Sequence, residues 1–265
     1  MARLSSLRDA LSLSLKSWRL WLIQFAGNAV IFALFFGWLQ VSEAHWWQLL
    51  FQALLILVIV AAVLVLHGGT LVYFKSAHED RTAQLMPAFR QALKHIFALA
   101  VCVFMVHIPW ALSGHLYNYE TSFPGYLRSG FPAWLRRMIS EPALDHTYIF
   151  LLVLLHWVIL PGLLLPFLLF CADRGFRGFV AFRDWAKTVR SLAYWIALIV
   201  AAVVGIYFVG VVMGWRLDPK TATFRGEEVS FVFRQLLAYL LALFSWLLVA
   251  SALGRARRGA GQTGA

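Results

Sequence analysis

Charge is scarce in this chain. Asp, Glu, Lys and Arg together make up 13% of its 265 residues, against roughly 25% in soluble domains. Hydrophobic residues make up 62%, and the mean hydropathy is +0.75. A soluble fold of this length would leave much of that apolar surface facing water, whereas a bilayer accepts apolar residues outside a helix bundle as readily as inside it. An ordinary soluble protein is excluded.

Carboxylates are scarcer still, with 12 Asp and Glu against 23 Lys and Arg, and none falls within a long apolar run. That excludes a carboxylate proton relay or sodium site in a bundle core, the usual use of an intramembrane ionisable group. Cysteine is nearly absent: Cys102 and Cys171 both sit in apolar runs, so neither a disulfide framework nor a zinc site is expected, and both read as packing residues. The motifs His-Glu-x-x-His, Gly-x-Ser-x-Gly, Walker and the dinucleotide fingerprint are missing. No catalytic residue, metal ligand or cofactor is therefore assigned.

What is present is hydrophobicity in blocks. Six apolar runs occupy about Leu20 to Leu39, Trp47 to Tyr73, Ile96 to Leu112, Tyr148 to Cys171, Leu192 to Met213 and Phe231 to Leu253. Each is near the roughly 20 residues that cross the hydrocarbon at about 1.5 Å per residue. Trp46, Trp47, Trp110 and Trp215 fall where a run meets polar sequence, as interfacial rings do. The first run has no small-residue cleavage pattern and is too long for a signal-peptide core, so it reads as a retained helix.

Sixteen of the 23 Lys and Arg lie on the side that holds the segment before the first run, residues 74–95, residues 172–191 and the tail. By the positive-inside rule that side, with both termini, is cytoplasmic, and the expected location is a bacterial inner membrane. The net charge of +11 is spread over segments that each adjoin a span. The expected partner is anionic lipid headgroups and not nucleic acid, with a membrane-protein partner or a second copy left open.

A short amphipathic segment precedes the first, third and fifth runs: Leu7-Arg8-Asp9-Ala10-Leu11, Phe89-Arg90-Gln91-Ala92-Leu93 and Phe182-Arg183-Asp184-Trp185-Ala186. Helical spacing aligns Leu4, Leu7, Leu11 and Leu15, then Leu85, Phe89, Ala92 and Ile96, then Phe182, Trp185, Val189 and Leu192. Arg8 and Lys16, then Arg90 and Lys94, then Arg183, Lys187 and Arg190 stand opposite. Ala88-Phe89-Arg90 and Ala181-Phe182-Arg183 are each followed by Lys four residues after the Arg.

The expected fold is all-α: a polytopic membrane bundle of six transmembrane helices in three hairpins, each preceded by a cytoplasmic interfacial amphipathic helix. One integral membrane domain, 1–254, would contain repeats 1–74, 80–172 and 174–254, with a disordered basic tail over 255–265. Arg90, Lys94, Arg183, Lys187 and Arg190 are the candidate headgroup-binding residues.

The second half carries Leu160-Pro161-Gly162, Pro166, then Asp173-Arg174-Gly175-Phe176, then the amphipathic segment leading to Tyr194-Trp195, and the first half has Gly68-Gly69-Thr70 closing a span. Over roughly residues 60 to 200 this order resembles the YciC-like six-span bacterial membrane proteins and the membrane domain found beside glycerophosphodiester phosphodiesterases. The resemblance implies the fold and brings no catalytic residue with it. The phosphodiesterase catalytic domain has no counterpart in this sequence.

Three histidines lie within runs. Counting from the run ends puts His107 and His156 both about 8 to 13 Å below the outer surface, with His67 nearer the cytoplasmic face. The pair either ligates haem or a metal, or is two neutral imidazoles in helix packing. Asn28, beside Gly27, joins Gln24, Gln235, Tyr239 and Ser245 as polar side chains within spans, and Arg234 is expected to snorkel to the outer interface. Pro161, Gly162 and Pro166 bend the fourth span, as a hinge or as a fixed kink. The long external segment, Ser113 to His146, holds a short amphipathic helix over 132–139, and either binds a headgroup or partner or caps the bundle.

These readings converge on a non-enzymatic, lipid-interacting envelope-homeostasis component or transporter-like subunit. The alternative is an intramembrane redox or metal enzyme built on His107 and His156. An absorption spectrum and metal analysis of the purified protein separate them: the lipid reading expects neither a Soret band nor stoichiometric metal, and either one would establish ligation.

Overall fold

The computed structural model describes residues 2–42, 44–80, 83–120, 122–216 and 223–262, and among these the side chains within 7–256. The fold is helical, with no strand among the described residues. A first helix, α1 (Ala2–Lys16), leads through Ser17 into α2 (Trp18–Leu39), and α3 (Trp46–Glu79) returns. After a short α4 (Leu85–Lys94), α5 (Ile96–His115) is extended by a 3-10 turn, Leu116–Tyr119. The segment that follows contains α6 (Ser122–Ser129) and α7 (Ala133–Met138), the latter within the amphipathic helix expected over 132–139.

α8 (Glu141–Leu154) continues through a π-helical stretch, Leu155–Ile159, into α9 (Leu160–Arg174) and a 3-10 turn, Gly175–Val180. Then come α10 (Phe182–Val189), α11 (Leu192–Ala202), a second π-helical stretch, Val203–Phe208, α12 (Val209–Gly214) and α13 (Phe224–Gln262). Six of these helical segments, 22 to 40 residues long, are long and apolar enough to cross a membrane. This is the architecture of a multi-pass membrane protein.

The helices gather at one end. Gln24, Phe74, Leu99, Phe170, Tyr194 and Leu247 are buried there, whereas Phe36, Leu57, Phe104, Phe150, Tyr207 and Phe231 toward the other end are half or more exposed. The exposure is tolerable in lipid, where apolar side chains gain little by leaving the tails for a neighbouring helix. α13 is the hub: 56% of its most apolar stretch is buried, against 11% to 22% in the other five spans.

Small residues and polar fastenings hold the closed end. A Cβ on Gly254 would lie 2.8 Å from the Phe74 and Lys75 backbone, so α13 and α3 touch main chain to main chain. Lys75 on α3 pairs with Asp173 on α9 at 2.6 Å, both side chains largely buried. Asp173 also faces Arg174 at 3.6 Å, and Arg174 reaches Asp184 on α10 at 2.8 Å. Gln91 on α4 donates to the Asp173 carbonyl at 2.6 Å. Gly175, at φ +63°, takes the left-handed turn that folds the following segment back.

α1 lies against α13 and α11. Ser251 donates to the Ala10 carbonyl at 2.9 Å, and Arg255 pairs with Asp9 at 2.9 Å. This anchorage corrects the expected tail, since the last helix runs past Gly254 to Gln262 and is not disordered from 255. Arg255 and Ala256 have partners in the bundle, Asp9 and the core.

The packed faces of the short helices also differ in part from the expected stripes. On α4, Leu85, Phe89, Ala92 and Ile96 are partly or fully buried as expected. On α1 the buried residues are Ala10 and Ser14, with Ser17 just beyond the helix, while Leu11 and Leu15 are exposed; the side chain of Leu4 lies outside those described. On α10, Thr188 is buried and Phe182 is exposed, as is Leu192 at the start of α11. Close helix contact favours small side chains, leaving the large apolar ones for lipid.

Removing the carboxylate in Asp173→Ala strands Lys75 in a partly buried site. The expected loss is about 2 kcal/mol, between the small worth of an exposed pair and the several kcal/mol of a fully buried one. Arg128→Ala, in the exposed Arg128–Glu141 pair, should change stability by less than about 0.5 kcal/mol. Unfolding in mixed detergent micelles measures both.

Candidate functional site

The cations assigned to headgroups flank the closed end. Arg90 and Lys94 are exposed on α4, away from its buried Ala88 and Ala92. Arg183 on α10 and Arg190 just after it are exposed, while Lys187 is partly buried and engaged within the fold. Exposed apolar side chains stand among them: Met86, Leu93 and Phe97 near the first pair, Phe176, Val180 and Phe182 near the second. Guanidinium and ammonium groups interleaved with exposed aromatic and aliphatic side chains suit the headgroup layer of a bilayer.

Within the spans, polar side chains are spent on packing. Gln24 is fully buried and donates to the Leu66 carbonyl at 3.2 Å and to the Thr70 hydroxyl. Asn28 donates to the Gln24 carbonyl at 2.9 Å and to its side-chain oxygen at 3.2 Å, and the Tyr239 hydroxyl donates to the same carbonyl at 3.4 Å. α2, α3 and α13 are joined through this cluster. Asn28 belongs to it and not to a site with the histidines.

His107 and His156 do not form a pair. His156, on the π-helical stretch, is buried with Nδ1 2.6 Å from Ser113 Oγ. The Trp110, Trp157 and Tyr117 rings surround it at 4.5, 5.0 and 5.9 Å. His107 is exposed, its ring 5.9 Å from the same neighbour, Trp110. His67 lies edge-on to Trp246 at 5.1 Å. Among the described residues no three His, Cys, Asp or Glu side chains are grouped to hold a metal ion. The sequence also missed that Cys102 on α5 and Cys171 on α9 are buried in the same apolar cluster.

The proline-containing stretch of the fourth span is held by its neighbours. Pro166 has no N–H, so the Gly162 carbonyl loses its helical donor, and the buried Tyr194 hydroxyl supplies one at 3.1 Å. Trp185 Nε1 donates to the adjacent Leu163 carbonyl at 2.7 Å. A Cβ on Gly162 would lie 2.4 Å from the Trp195 ring, so the indole occupies that space. Around Pro161, Gly162 and Pro166 the freed carbonyl is thus satisfied and the small residue covered.

Arg234 is enclosed by the protein, its side chain only 4% exposed, and it reaches back toward the start of α13. Nε donates to the Ser230 carbonyl at 3.3 Å, one terminal nitrogen to the Trp215 carbonyl, and the other faces Glu227 at 3.4 Å. The spacing Glu227, Ser230, Arg234 places all three on one helix face, a signal the sequence offered. A cavity of about 440 Å³ lies beside Arg234, between α12 and α13. The chain matches no protein-family profile, no curated protein and no solved structure.

Tyr194→Phe leaves the buried Gly162 carbonyl without a donor and should cost about 1 to 3 kcal/mol. Gly162→Ala, which must displace the indole, should be at least as damaging. Thermal unfolding in detergent checks both. A hinge would instead be loosened by Tyr194→Phe with no loss of stability.

Proposed function

We propose that the protein is a lipid-interacting bacterial inner-membrane protein, acting as an envelope-homeostasis component or transporter-like subunit by binding and not by catalysis. In this reading both termini are cytoplasmic. Exposed Arg90, Lys94, Arg183 and Arg190, with Lys187 beside them, hold anionic headgroups. The carrying observation is the placement of these cations among Met86, Leu93, Phe97, Phe176 and Phe182, all exposed. Consumption of Gln24, Asn28 and Tyr194 in helix contacts adds support, because those polar groups serve the bundle.

Three repeats, 1–74, 80–172 and 174–254, belong to the same proposal. Each short helix packs on the second span of the unit before it: α4 on α3, α10 on α9, and α1 on α13. Chain connection alone accounts for the first two. It does not account for the third, which joins distant segments and makes the arrangement cyclic. Asp9 with Arg255 and Asp184 with Arg174 occupy equivalent places in this scheme, whereas Gln91, at the matching position of α4, donates to the Asp173 carbonyl on α9 and not to α3.

Protein reconstituted in nanodiscs of mixed phosphatidylglycerol and phosphatidylcholine should be enriched in phosphatidylglycerol. Changing Arg90, Lys94, Arg183 and Arg190 together to Gln should reduce that enrichment severalfold, at about a kcal/mol for each cation near the surface. Enrichment unchanged in the fourfold variant would overturn the reading.

A further inference from the structure

The buried guanidinium of Arg234 requires an explanation beyond packing. A charge inside a membrane-spanning helix is costly unless it is paired, and it marks function by default. The last apolar run begins at Phe231, which puts Arg234 about 4.5 Å further along the axis, at about 1.5 Å per residue. That depth suits the polar end of a lipid.

Two guanidinium groups meet beside the cavity. Arg216 donates to the Met213 carbonyl at 2.6 Å and to the Trp215 carbonyl at 2.9 Å, and Arg234 uses that same Trp215 oxygen. Both cations thus converge on one carbonyl. Among the described residues the carboxylate facing Arg234 is Glu227, 3.4 Å away with its side chain 37% exposed.

The cavity supplies the rest of the recognition. At about 440 Å³ it falls within the range of roughly 300 to 1,000 Å³ typical of ligand sites. Its walls are Val211, Val212, Phe233 and Leu237, with Arg234 the charged residue in its lining. Val211 and Phe233 are 52% and 56% exposed on the surface that lipid would contact. An apolar wall ending at a guanidinium fits an amphiphile with an anionic head. A soluble anion makes no use of the wall, and a zwitterionic head would bring a cation toward Arg216.

We infer that this cavity binds one anionic phospholipid, with its phosphate at Arg234 and Arg216 and an acyl chain along Val211, Val212, Phe233 and Leu237. This site rests on the lipid-interaction reading but lies at the opposite end of the bundle from the cation-rich helices. It is a discrete site, distinct from general attraction to a charged surface.

The test is native mass spectrometry of the full chain in mild detergent, titrated with dioleoyl phosphatidylglycerol or dioleoyl phosphatidylcholine. Wild type should hold one phosphatidylglycerol in preference to phosphatidylcholine. Arg234→Gln should weaken that binding about tenfold, the scale of one charge-assisted hydrogen bond. Glu227→Gln, which removes the competing carboxylate, should tighten it severalfold. The fourfold variant of Arg90, Lys94, Arg183 and Arg190 should leave this first lipid bound.

Should Arg234→Gln fail to fold, Glu227→Gln decides: affinity unchanged or weakened overturns the site. Loss of phosphatidylglycerol in the fourfold variant, with Arg234→Gln unaffected, overturns the site and leaves the general reading standing. No preference for phosphatidylglycerol in any form overturns both.

Discussion

The closed end of the bundle depends on Asp173. Its carboxylate pairs with Lys75 from α3 and faces Arg174, which continues to Asp184 on α10, while its carbonyl accepts from Gln91 on α4. One residue thereby ties four elements together. In water, helices are driven together by burial of apolar surface. In lipid that force is weak, and close backbone contact and polar pairs must do the gathering. The result is a bundle tight where Gly254 meets Phe74 and where the ion pairs lie, and loose beyond.

Polar groups within the helices follow the same logic. Each answers a defect or a contact. Tyr194 covers the carbonyl that Pro166 frees, Gln24 joins α2 to α3, and Ser251 reaches across to Ala10. Such groups resemble a functional site in sequence because both are polar residues in apolar surroundings. Geometry distinguishes them: the packing groups find partners on the neighbouring helix, whereas Arg234 also lines a cavity.

The six spans were legible in the sequence because lipid demands length and apolarity, and both are read directly from composition along the chain. The short α7 was legible from its amphipathic spacing. Rotation about the helix axis was not. Depth alone put His107 and His156 at one level, yet His156 is buried and His107 exposed. Leucines on α1 suggested the packed face, yet Ala10 and Ser14 form it, because hydrophobicity does not mark the inside of a membrane protein. The pairing of Arg255 with Asp9, and the sharing of one buried cluster by Cys102 and Cys171, bring together residues far apart in sequence, and local pattern carries no trace of them.

The docking of α1 on α13 has a consequence for biogenesis. Ser251 and Ala10 are 241 positions apart, and the central helix follows the other five spans along the chain. Until it arrives, α1 has lost its main neighbour, α3 lacks the helix that meets it at Gly254, and α11 stands without its largest contact. Consolidation of the bundle is therefore split: α3, α4, α5 and α9 share a buried cluster of their own, while α1 and α11 gain their main neighbour only when α13 docks.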